Sequence, residues 1–131
     1  MNDCRRTIAL VDDDPRVLES LEELFESSGY VVRAYPSAQA LIDAGLSNVD
    51  CLITDIGMPV VDGFELHGLV KSVRPDLPVF LMTGRDVMGD QQRAVGRGVS
   101  GFFRKPFDGP ALLAAIDSAL RPHGGTNAQF H

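Results

Sequence analysis

Tryptophan is absent from the 131 residues, cysteine occurs only twice, and acidic residues outnumber basic ones by 18 to 12. Each shortage excludes something. Two cysteines make no disulfide framework; Cys4 lies in a polar N-terminal segment, and Cys51 sits in an apolar run, where it is expected to pack as a small hydrophobe. Reduced thiols and a cytoplasmic location are the expectation. A net charge of −6 argues against a bare nucleic-acid-binding surface, which needs a basic patch. No apolar run approaches the roughly 20 residues of a membrane span, and no signal peptide is read ahead of the first apolar run. The three histidines, His67, His123 and His131, lack metal-ligand spacing.

What is present is alternation. "TIALV" (7–11), "YVVRAY" (30–35), "DCLIT" (50–54), "PVFLM" (78–82) and "SGFF" (100–103) read as five strands. Three are almost wholly apolar, as befits strands covered on both faces of a parallel sheet. Asp14 and Pro15 open a helix whose stripe of Val17, Leu18, Leu21, Leu24 and Phe25 stops at Ser28-Gly29. Ser37 is expected to cap a second helix carrying Leu41 and Ile42. Asp62 caps a third with Leu66, Leu69, Val70 and Val73 on one face, and Asp108 begins a last one burying Leu112, Leu113, Ile116 and Leu120. Val87 to Arg97 is the weakest helix, because Gly89 and Gly96 each cost about 1 kcal/mol relative to alanine; Asp86 and Asp90 are expected there as exposed acids. The pattern is (βα)5, with crossovers long enough to be right-handed, and predicts an α/β fold with an open, doubly wound parallel sheet. One domain is expected over residues 1–121, followed by a flexible tail at 122–131.

Polar residues gather where strands end. Asp12 and Asp13 follow the first strand, Asp55 the third, Thr83 the fourth and Lys105 the fifth. Ligands of open α/β sheets bind at these carboxyl ends, and in the flavodoxin-like strand order 2-1-3-4-5 the five residues share one crevice. Three carboxylates need a counter-charge. Oxygen ligands without histidine or cysteine select a hard cation, with Mg²⁺ the abundant choice. Lys105 and the Thr83 hydroxyl then suit phosphoryl oxygens, which leaves Asp55 as the nucleophile. "GRGVSG" (96–101) matches a dinucleotide-binding pattern, but it follows a helix and runs into a strand, so its glycines read as a helix stop and a turn.

An acidic pair after strand 1, "D-x-x-M-P" after strand 3, a threonine after strand 4 and "K-P-F" after strand 5 resemble the receiver domain of bacterial two-component response regulators, from Thr7 to about Leu120. The wording "LMTG" and "GFFRKPF" is most similar to receivers of nitrogen-fixation-type transcriptional regulators. The resemblance implies that Asp55 takes a phosphoryl group from a sensor histidine kinase or phosphotransfer protein. It implies a Mg²⁺ site of Asp12, Asp13, Asp55 and the Gly57 backbone carbonyl. Lys105 would bind the phosphoryl group, across a Lys105-Pro106 peptide that is usually cis. Thr83 and Phe102 would form the switch pair, with phenylalanine replacing the common tyrosine and unable to hydrogen-bond. The side chains at Gly57 and Arg85 would tune phosphoryl lifetime. Output would go to a partner protein or domain through the fourth helix, fifth strand and fifth helix, a face that also suits a homodimer of the phosphorylated form. Such a domain is no enzyme beyond phosphorylating and dephosphorylating itself. The competing readings are a phosphate sink, a pseudo-receiver, which typically loses the acids and lysine retained here, and a haloacid dehalogenase-type phosphatase. The last needs an acid two residues after the nucleophile, where Gly57 stands.

Overall fold

A computed structural model describes residues 5–84, 89–120 and 129–130. Strands β1 (Thr7–Val11), β2 (Val31–Tyr35), β3 (Cys51–Asp55), β4 (Val79–Thr83) and β5 (Gly101–Arg104) pair in parallel in the order β2-β1-β3-β4-β5. Helices α1 (Pro15–Ser27), α2 (Ala38–Ala44), α3 (Gly63–Val73), α4 (Asp90–Gly96) and α5 (Gly109–Leu120) fill the crossovers. This is the flavodoxin-like arrangement that the sequence predicts.

Strand residues alternate between two cores because successive side chains leave a strand on opposite faces. Ala9, Val11, Leu52, Val79, Leu81 and Phe102 pack with Leu41, Phe64, Leu66 and Ala94. Ile8, Leu10, Ile53, Phe80, Met82 and Phe103 pack on the other side with Leu18, Leu21, Phe25, Leu112 and Ile116. Every residue of β1, β3 and β4 is buried, which is why those runs are so apolar; β2, at an edge, is only half-buried. Cys51 is fully buried as expected, and burial pushes its thiol pKa up, so it is inert.

Local chemistry fixes the helix starts. Asp14 accepts the Arg16 N–H ahead of Pro15, and Ser37 accepts the Ala40 N–H. Asp62 and Glu65 form a reciprocal capping box at α3. Several expectations change; in α5, Leu113 and Leu120 are only partly buried. In α3 the buried residues are Phe64, Leu66, His67 and Val70, while Leu69 and Val73 are exposed; α3 is apolar over more than one face, so periodicity alone could not fix its rotation. Asp90, the first residue of α4, is buried rather than exposed; Asp86 lies outside the described residues. Within the expected loose tail, Gln129–Phe130 forms a sixth strand, β6, parallel to β5, with Phe130 opposite Phe102. Among the described residues, no helix is long and apolar enough to cross a membrane.

Candidate functional site

Each polar residue is delivered by a strand end and then held by its own local bonds. Asp12 follows β1, where its N–H donates to the Tyr35 carbonyl of β2 at 3.2 Å. Its carboxylate Oδ1 accepts the Asp14 N–H at 2.8 Å, so the acidic run folds into a turn that leads directly into α1. Asp12 and Asp55 are buried, and Asp13 is exposed.

Asp55 ends β3, and the next residue, Ile56, donates its N–H to Met82 of β4 at 2.9 Å. The chain then loops out and returns so closely that Gly63 donates back to the Ile56 carbonyl at 3.0 Å. A Cβ at position 63 would lie 2.5 Å from the Asp55 carbonyl oxygen and 2.8 Å from Ile56 Cα. Only glycine lets α3 begin there. Sequence reasoning missed this contact, although a glycine directly after the capping Asp62 was a readable signal.

Lys105 arrives from the far side of the sheet. Its backbone N–H donates to the Thr83 carbonyl at 2.7 Å, and the Lys105-Pro106 peptide is cis. Its ammonium lies 2.6 Å from Asp12 Oδ2 and 3.2 Å from Asp55 Oδ1, clamping the two buried carboxylates. Burial opposes that ammonium, but the hydrogen bond to Asp12 and the charges of Asp55 and Asp12 outweigh it and hold the Lys105 pKa above the ordinary lysine value. Asp55 is shifted upward, first by burial and next by Asp12, with Lys105 offsetting part of the effect.

One carboxylate oxygen from each of Asp12, Asp13 and Asp55 falls within a 4.8 Å cluster. Three negative charges against one ammonium leave the cluster short of positive charge. The donors are all hard oxygens, so they fit a divalent cation of the Mg²⁺ type. Gly57 is exposed in the loop after β3. Thr83 is buried at the end of β4, one residue past the Asp55–Met82 register pair. Phe102, only 1% exposed, already lies in the core cluster that includes Phe64, Ala94 and Val99. Arg85 lies outside the described residues. A crevice of about 370 Å³, lined in part by Arg16, Ser20, Pro106 and Phe107, opens beside Lys105.

Known proteins are similar to this chain in sequence and in fold. The family model for the response regulator receiver domain matches residues 8–117. The transcriptional regulatory protein FixJ of Bradyrhizobium diazoefficiens is 37% identical over 116 residues, covering 87% of this chain and 56% of that protein. The response regulator protein TodT of Pseudomonas putida is 34% identical over 131 residues, covering 98% of this chain and 58% of TodT. The crystal structure of full-length FixJ from B. japonicum superposes with a TM-score of 0.80 at 36% identity, covering 88% of this chain and 58% of that one. The chain therefore spans a little over half the length of these relatives.

Proposed function

The chain belongs to the response regulator receiver domains, and from that premise we propose that it is a phosphorylatable switch with Asp55 as the acceptor. A carboxylate oxygen of Asp55 attacks the phosphorus of a phosphohistidine on a sensor histidine kinase or phosphotransfer protein. The P–N bond breaks, its electron pair goes to the imidazole nitrogen, and an aspartyl phosphate is left. The observation that carries this reading is the Lys105 ammonium held 3.2 Å from Asp55, at the edge of a three-carboxylate cluster. That ammonium neutralises charge on the incoming phosphoryl oxygens, and the Thr83 hydroxyl is the donor for another. Asp12, Asp13, Asp55 and the Gly57 carbonyl would hold Mg²⁺, which when bound supplies further charge neutralisation at the phosphoryl group. Burial of Asp55 lowers the local dielectric, so these charges act more strongly than they would in open water.

The face of α4, β5 and α5 is the output surface in this reading, toward a partner protein, an attached domain or a second phosphorylated copy. The test is intact mass after treatment with acetyl phosphate and Mg²⁺. The parent should gain one phosphate and Asp55→Asn none. Full labelling of Asp55→Asn would overturn the assignment of the acceptor.

A further inference from the structure

Helix α4 is seven residues long, starts from a left-handed Gly89 without a side-chain cap, and buries only Asp90 and Ala94. So short a helix does not hold itself together in water, and its position depends on what grips it. Arg93, within it, and Arg97, its C-cap, grip α3. The Arg93 guanidinium carbon stands 4.0 Å from the centre of the fully buried Phe64 ring, and that of Arg97 stands 5.5 Å away. Arg97 also donates from Nη1 to the Phe64 backbone carbonyl at 3.3 Å. His67, one turn further along α3, is buried, and among the described residues neither ring nitrogen has a hydrogen-bond partner, so its side chain adds none between the helices.

Phe64 follows Gly63, the residue pressed against the carbonyl of Asp55 with no room for a Cβ. A displacement of the backbone at 55–56 therefore has no slack to absorb it before Phe64. Phe102, the aromatic of the switch pair that the resemblance implies, is already buried, so it has no exposed position from which to turn inward. We propose that Arg93 and Arg97 clasp Phe64 so that α4 follows the Asp55–Gly63 loop, and that this clasp is the link by which the loop's state reaches α4. The inference rests on the phosphoacceptor reading only for what moves the loop. The contact itself combines cation–π attraction with a charge-assisted hydrogen bond, both of which are lost when the guanidiniums are removed.

The test compares the full chain with its Arg93→Gln/Arg97→Gln variant; both arginines are surface residues, so the fold is retained. Without any ligand, amides of residues 90–99 should exchange roughly fivefold faster in the variant, with β1 and β3 unchanged. Equal exchange overturns the clasp. Gly63→Ala, which must push on the loop, should shift the amide resonances of α4 in the parent background and at most half as far without the arginines. Equal shifts in both backgrounds overturn the coupling. If Gly63→Ala does not fold, Mg²⁺ with beryllofluoride supplies the push instead, and a parent that binds this mimic with α4 unmoved also overturns it. Failure of acetyl phosphate to label the parent would defeat the acceptor reading, while the ligand-free exchange comparison would still decide the clasp.

Discussion

Val60, at the tip of the loop after Asp55, has φ of +69°. A left-handed backbone brings Cβ against the following carbonyl, at a cost of roughly 1–2 kcal/mol for an ordinary residue, and a β-branched side chain there is an outlier. Nothing repays this by burial, since Val60 is 96% exposed. Replacing it removes strain without removing packing. Asparagine tolerates the left-handed region and avoids the entropic cost of glycine, so Val60→Asn should stabilise the protein by about 1 kcal/mol. For a domain of this size that is a rise in Tm of about 3–5 °C, well above the effect of an ordinary surface substitution. Val60→Thr, equally branched, should be neutral, and Val60→Ala should fall between. The assay is urea unfolding, read as a change of midpoint at constant slope, with thermal melts alongside. If Val60→Asn leaves the midpoint unmoved, or if Val60→Thr stabilises as much, the strain argument is wrong.

Three further predictions concern charge. Asp13 adds to the repulsion felt by Asp55, so Asp13→Asn should melt at the same or a higher temperature without Mg²⁺ yet lose the stabilisation that Mg²⁺ gives the parent; a parent whose Tm ignores millimolar Mg²⁺ would refute the cation site. Lys105→Met strips the partner from buried Asp12 and should cost about 2–4 kcal/mol in denaturant melts. The raised Lys105 pKa means its contribution is fully present below the usual lysine pKa of 10.5 and is lost as pH climbs beyond it, so the gap between parent and variant should narrow only in strong alkali. For His67 the sign is opposite: burial first, then Lys71 and Arg97, depress its pKa below 6.5, so the stability of the neutral imidazole is present above that value and lost as pH falls. His67→Leu should flatten the acid side of the stability profile, and an unchanged slope below pH 6.5 would count against it.

Much of this was legible in the chain because its signals are local. Asp14, Ser37 and Asp62 bond to amides two or three residues away, so their capping roles are written in short stretches of sequence. The crevice was legible for another reason: parallel topology gathers the ends of β1, β3, β4 and β5, so an acid pair, an acid, a threonine and a lysine at those ends must meet. What escaped depends on rotation and close approach. His67 is buried and Leu69 exposed because α3 turns to seat Phe64 and Leu66, a choice between apolar faces that periodicity leaves open. The left-handed Val60 contradicts its residue type, so no propensity could announce it. The strand at Gln129–Phe130 is too short to produce a pattern.

The lysine clamp joins residues 93 positions apart in the chain. On a ribosome adding roughly 5–20 residues per second, Asp12 is made about 5–19 seconds before the ammonium that neutralises it. Through that interval the chain can complete β1 and β2 and then add β3, which brings Asp55 beside Asp12 with no counter-charge from the protein. The open edge of β4 is also still waiting for β5. The charge imbalance that prepares the finished site thus works against closing the half-made sheet. The synthesis of β5 ends both problems together: it covers that edge and carries Lys105 into the crevice.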